Sequence, residues 1–172
     1  MDIESISAIG EALQRKGWQL ATAESCTGGL VAHWITAIPG CSQWYCGGVV
    51  AYANATKTAM LGVPAGLLVQ HGAVSRPVAA AMARGACKQI PAADVAIGIT
   101  GVAGPDGGTP AKPVGCVYLA LADKAGFVVV QKWQFPGSRE EIQIAAGKAA
   151  LQMVYDYLSG NAKKEHERLQ PQ

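Results

Sequence analysis

The segment AESCTGG, residues 23–29, sets a carboxylate, two hydroxyls and a thiol beside two glycines, where the apolar run Leu20–Ala23 gives way to a second apolar stretch. One capping residue would suffice to start a helix there. Thr27, directly before Gly28-Gly29, is placed to be that cap, which frees Ser25 for chemistry. A serine at the end of a strand and ahead of a helix N-terminus has the N–H groups of Cys26, Thr27 and Gly28 at hand for a developing oxyanion. Glycine lets a substrate approach the backbone closely. Cys26 is the rival nucleophile. A lone cysteine in an apolar chain is more often a small buried hydrophobe, and His33, His71 and His166 offer it no evident base. Glu24 reads as a hydrogen-bonding brace for the turn.

A serine nucleophile needs a base, and YANATK, residues 52–57, offers one without histidine. With Asn54 as N-cap, Lys57 falls at the third helical position, where the helix dipole opposes its charge by about 0.3–1 kcal/mol. Burial lowers its pKa further. A neutral lysine accepts a serine proton. Tyr52 is placed to relay that proton or to hold the lysine; the competing reading is an exposed lysine and a core tyrosine. A second glycine-rich segment, TGVAGPDGG (100–108), contains Thr100, Gly101 and Gly104. It matches neither the P-loop nor the dinucleotide-binding glycine pattern. Its N–H groups suit an anion or a carbonyl. Arg139, after Gly137-Ser138, begins the last helix, an arrangement that binds phosphate. Pairing with Glu140 or Glu141 is the alternative.

Elements must hold these residues. Ile3, Ile6, Ile9 and Leu13 share one face and predict a helix over 3–16, ended by Gly17. Strands are expected at 18–23, 44–52 and 94–100, each running into one of the segments above. Gly47-Gly48 suggests a bulge or close backbone approach. Helices are expected at 28–37, 54–61, 64–71 and 74–90, the last capped by Ser75 with Pro77 in its first turn. A hairpin of 116–123 and 126–135 and a helix over 139–159 complete the pattern. This order predicts an α/β fold, a three-layer α/β/α sandwich with a mixed, mostly parallel sheet. Residues 1–160 form one domain, and 161–172 a polar, frayed tail.

Composition excludes several classes. Half of the 172 residues are hydrophobic and 15% are charged, which suits a packed core and not disorder. A net charge of +2 without a basic face argues against direct nucleic-acid contact. No apolar run approaches the roughly 18 residues of a membrane span, and the N-terminus lacks signal-peptide character. Five cysteines without a C-x-x-C pattern read as reduced thiols in a cytoplasm. No metal-ligand pattern is present.

AESCTGG, Y-x-N-x-x-K, HGAVS (71–75), GITGVAGPDGG and KPVGCVY (112–118) occur together in this order. In that combination the chain resembles the CinA C-terminal domain family over residues 5–158. Stand-alone members of that family are nicotinamide-nucleotide amidohydrolases. The resemblance implies an α/β/α fold and hydrolysis of nicotinamide mononucleotide to nicotinate mononucleotide and ammonia. It implies no metal and no cofactor, and a place in pyridine-nucleotide recycling. The length leads us to expect the stand-alone form, without the additional N-terminal domain of longer members. Val102 and Cys116 replace the Ile and Thr frequent in relatives, and neither change touches a polar role. Amide hydrolysis fits the residue-based reading. Ser25 attacks, Lys57 with Tyr52 moves the proton, and the 26–28 backbone holds the oxyanion. Thr100, Gly101 and Gly104 contact substrate, and Arg139 takes the phosphate. The partners expected are the nucleotide and, at most, further copies of the chain. The competing classes are a non-catalytic nucleotide-binding module and a competence or DNA-damage accessory.

Overall fold

Large and small side chains alternate along the central strands of this chain, and that alternation builds its two unlike faces. The computed structural model describes residues 3–161, so the expected tail lies outside them except for Asn161. Five strands form one sheet in the order β2 (Tyr45–Val50), β1 (Leu20–Glu24), β3 (Val95–Gly101), β4 (Cys116–Asp123), β5 (Val128–Gln134). β1 pairs in parallel with β2 and β3, whereas β4 is antiparallel to both β3 and β5. Only β4 is therefore reversed, and the sheet is mixed and mostly parallel, as the element order predicts. β1 is buried along its whole length because helices cover both faces.

Leu20, Val95, Ile97, Ile99, Val117, Leu119 and Leu121 point to one face. There they meet α1 (Ile3–Lys16), α2 (Leu30–Thr36) and α6 (Arg139–Leu158), through Ile6, Ile9, Leu13, Val31, Ile35 and Leu151 among others. The opposite face carries Ala21, Ala23, Ala96, Ala120 and Ala122. Here α5 (Arg76–Gln89) lies close, presenting Ala79, Ala80 and Ala83. A Cβ at Gly98 would stand 2.6 Å from the Ala79 carbonyl oxygen. A Cβ at Gly85 of α5 would stand 2.1 Å from the Leu61 carbonyl oxygen. This small-residue layer brings in α3 (Asn54–Leu61), the helix that carries Lys57, with α4 (Ala65–His71) beside it.

Some boundaries differ from the predicted ones, each for a local reason. The bulge expected at Gly47-Gly48 is present: Leu20 pairs with Tyr45 but Ala21 with Gly47, leaving Cys46 as the extra residue. Gly48 also meets a close approach, since a Cβ there would lie 2.0 Å from Thr22 Oγ1. Gly28 and Gly29 are left-handed (φ 64° and 97°), so α2 starts only at Leu30. Extended Ala53 caps α3, which puts Asn54 inside the helix and moves Lys57 one position beyond the expected third. Ser75 stands at the α5 cap position, but its hydroxyl donates to the Gly72 carbonyl instead of accepting from the helix.

Gly85→Ala should destabilise the protein by at least about 1 kcal/mol through overpacking, outweighing the helix propensity of alanine. Gly66→Ala, with nothing within 4 Å of the new Cβ, should be neutral or stabilising. Thermal denaturation of the two variants checks this, and equal melting temperatures would contradict it.

Candidate functional site

β1 ends in Glu24, whose carboxylate is 1% exposed. Its Oε2 accepts from the Thr27 hydroxyl (2.7 Å), Gly29 N–H (3.0 Å) and Val31 N–H (3.2 Å), and Oε1 from Ala32 N–H (2.8 Å). The brace expected of Glu24 is thus the cap of α2, a carboxylate on helix N–H groups. Thr27, expected to be that cap, is instead a donor to it. The two left-handed glycines shift the helix start past its reach. Ser25 stays attached to the sheet, its N–H donating to the Ile99 carbonyl at 3.0 Å. Gly28 N–H donates to the Ser25 carbonyl at 3.1 Å and closes a four-residue turn. The Cys26 and Thr27 N–H groups are taken up by no other residue among those described. Of the three donors expected for an oxyanion, these two remain.

Lys57 is also 1% exposed. Its Nζ lies 3.0 Å from Ser25 Oγ, 2.8 Å from the Ala51 carbonyl oxygen and 3.0 Å from that of Tyr52. Desolvation holds the Lys57 pKa below the ordinary lysine value. Lys57 stands one position further into the helix than expected, and burial is the dominant cause of the lowered value. A neutral amine has two N–H donors and one lone pair. With both carbonyls taking donors, the lone pair faces Ser25 Oγ. The lowered value also couples to folding. Between it and the unfolded value near 10.4 the unfolded chain binds a proton the folded chain lacks, so stability rises with pH there.

Tyr52 holds the lysine through its carbonyl, while its phenol, on a side chain 58% exposed, turns to Arg139. The expected relay through the phenol is therefore absent, since the hydroxyl bonds Arg139 and not Lys57. Arg139 Nη2 donates to Tyr52 Oη at 2.9 Å and Nη1 to the Gly104 carbonyl at 2.7 Å. Glu141 serves the Ser138 capping box, and neither it nor Glu140 pairs with Arg139. Burial pushes the Cys26 thiol up to about 12, so it stays neutral, and Ser25 is the group that faces the base.

Ser25, Cys26, Tyr52, Lys57, Thr100, Gly101 and Arg139 come together around one cleft of about 200 Å³. Thr27, Gly28 and Gly104 are not among its lining residues; Thr27 meets the cleft only through the peptide it shares with Cys26, which does line it. Ala73 and Val74, missed as site residues, complete it. The Thr100 hydroxyl holds that segment through the Ala73 carbonyl at 2.9 Å. The HGAVS motif was their signal, a glycine and a serine around a tight bend. Among the described residues no His, Cys, Asp or Glu cluster could hold a metal ion, and no helix is long and apolar enough to cross a membrane.

The fold and cleft define a three-layer α/β/α domain with a serine–lysine pair at the carboxyl end of its parallel strands. The CinA C-terminal domain model matches residues 3–158, and the chain belongs to that family. A CinA-like protein of Geobacter sulfurreducens is 50% identical over 145 residues, covering 84% of this chain and 35% of its own length. The chain thus spans little more than a third of the curated relatives it matches. Solved structures match over nearly their whole length. A competence/damage inducible protein from Agrobacterium tumefaciens gives a TM-score of 0.87 at 40% identity, covering 91% of this chain and 94% of that one. A CinA superfamily protein from Escherichia coli gives 0.86 at 36% identity, covering 91% and 90%.

Glu24→Ala leaves three N–H groups and one hydroxyl without an acceptor. It should cost more than about 3 kcal/mol, at roughly 1–3 kcal/mol for each buried donor stranded. Glu24→Gln, which retains one acceptor oxygen, should cost less. Urea denaturation gives both values, and a stable Glu24→Ala would show that the turn is held by other means.

Proposed function

We propose that this chain hydrolyses the carboxamide of nicotinamide mononucleotide to nicotinate mononucleotide and ammonia. The observation that carries the reading is Lys57 Nζ at 3.0 Å from Ser25 Oγ, with its two other neighbours both carbonyls. Neutral Lys57 takes the Ser25 proton as Oγ attacks the carboxamide carbon. The oxyanion forms against the Cys26 and Thr27 N–H groups. The Lys57 ammonium then protonates the departing nitrogen, and ammonia leaves. Water, deprotonated by the same amine, opens the Ser25 ester and releases the carboxylate. Arg139 keeps donors beyond its two contacts and sits at a helix start, which suits the nucleotide phosphate. Such a reaction belongs to pyridine-nucleotide recycling.

Ammonia release from nicotinamide mononucleotide tests the proposal directly; tight binding without turnover would make the chain a nucleotide-binding module instead. Ser25→Ala should lower kcat at least about a thousandfold with the fold intact. Lys57→Arg keeps the charge but cannot deprotonate near neutral pH, so it should be nearly as inactive as Lys57→Ala. The wild-type rate should rise with pH through an ionisation below about 10.4 and then level off. An active Lys57→Arg enzyme would remove lysine from the role of base.

Arg139→Ala should raise KM for the nucleotide by about tenfold or more, the scale of a lost charge-assisted contact. The phosphate-free nucleoside should be affected much less. Equal losses for both would assign Arg139 to holding Tyr52 and Gly104 in place and not to phosphate.

A further inference from the structure

α6 makes another contact with the cleft, one that the reaction above leaves without a role. Gln143, one helical turn beyond Arg139, donates from Nε2 to the Cys26 carbonyl at 2.7 Å. The Cys26–Thr27 peptide is trans, so its N–H lies on the edge opposite that carbonyl. That N–H belongs to Thr27 and is taken up by no other residue among those described. Cys26 and Thr27 are the two central residues of the turn closed by Gly28 N–H and the Ser25 carbonyl. The central peptide of such a turn has two orientations that exchange its carbonyl and N–H. The flipped one needs positive φ at the second central residue, which a β-branched Thr27 resists. Gln143 adds a direct tether to one orientation. Its N–H also polarises the peptide and strengthens the opposite N–H as a donor.

We propose that Gln143 is the positioning residue of the oxyanion site, holding the Cys26 carbonyl so that the Thr27 N–H stays turned toward the reacting carbonyl carbon's oxygen. The proposal rests on the serine-nucleophile reading above. It gives α6 two duties one turn apart. Arg139 ties down the Tyr52 and Gly104 loops, and Gln143 ties down the nucleophile turn. Loss of the tether acts on the transition state, where charge develops, and leaves both the ground-state nucleotide contacts and the Lys57 ionisation alone.

The test uses the full chain, Gln143→Met, which keeps length without a donor, and Gln143→Glu, whose carboxylate faces the Cys26 carbonyl. The substrate is nicotinamide mononucleotide. A second probe, a small fluorophosphonate, reads the serine independently of that substrate. Ser25 Oγ forms the O–P bond, fluoride leaves, and the serine proton passes to Lys57; intact mass follows the adduct. Gln143→Met should lower kcat about 10–100-fold, somewhat less than loss of an oxyanion donor itself. KM should change by less than about threefold, and the midpoint of the pH–rate profile should not move. Phosphonylation should slow in step, and Gln143→Glu should be slower still. Wild-type kcat and phosphonylation rate in a folded Gln143→Met would overturn the proposal, as would a loss expressed wholly in KM. A wild type that is phosphonylated but releases no ammonia would sink the nucleotide reading alone. The ratio of phosphonylation rates would still decide the role of Gln143.

Discussion

A lysine amine buried to 1% exposure is tolerated only where every hydrogen it carries has an acceptor. Neutral Lys57 gives its two hydrogens to the Ala51 and Tyr52 carbonyls and turns its lone pair to Ser25 Oγ. Most of the fold can be understood as what brings these three atoms to one point. β2 must end so that two successive carbonyls reach the same amine. α3 must begin immediately afterwards, so that the side chain folds back over its own N-terminal segment. β1 must deliver Ser25 from the adjacent strand. The glycine and alanine layer of α5 lets α3 approach near enough for this, with Gly85 against the Leu61 carbonyl.

A buried carboxylate complements the buried amine from across the turn. Glu24 precedes Ser25 and gathers four donors from Thr27 and the start of α2. Its own carbonyl accepts from Ala51 N–H at 2.8 Å. Ala51 therefore joins the two halves of the site, donating to the residue before the serine and accepting from the lysine. Glu24 fixes the position of the turn, and Lys57 acts on the residue at its start. Neither side chain needs a place on the other's element, which explains why they are 33 residues apart in sequence and one strand apart in space.

The elements were largely legible in the sequence because apolar periodicity and glycine punctuation are local signals. Helix 3–16, strand 116–123 and the two glycine-rich strand ends are of this kind. The grouping of Ser25, Lys57, Tyr52 and Arg139 was legible too, since each stands at the end of an element at one edge of the sheet. Capping was not. Thr27, Asn54 and Ser75 are all residues that favour caps, yet none bonds its helix start with its side chain, and only Ser75 holds the cap position. The Glu24 carboxylate, the extended Ala53 and the Gly72 carbonyl decide those three places, and each acts through the folded geometry. Gln143 was invisible for a related reason. A glutamine in the second turn of an amphipathic helix has no signature, and its partner is 117 positions away.

The reversal of β4 has a consequence of parity. β4 leaves the cleft edge of the sheet and β5 returns to it, so the chain re-enters α6 at the end where Ser25 and Lys57 stand. An odd number of strands added between β3 and α6 would land Arg139 at the wrong pole. The hairpin bend at Lys124-Ala125-Gly126 is the far point of that excursion, a strand's length from the chemistry and exposed to solvent. It is therefore the natural place to open the chain for circular permutation or to graft an insert, because the return stroke of β5 restores the direction whatever the loop contains.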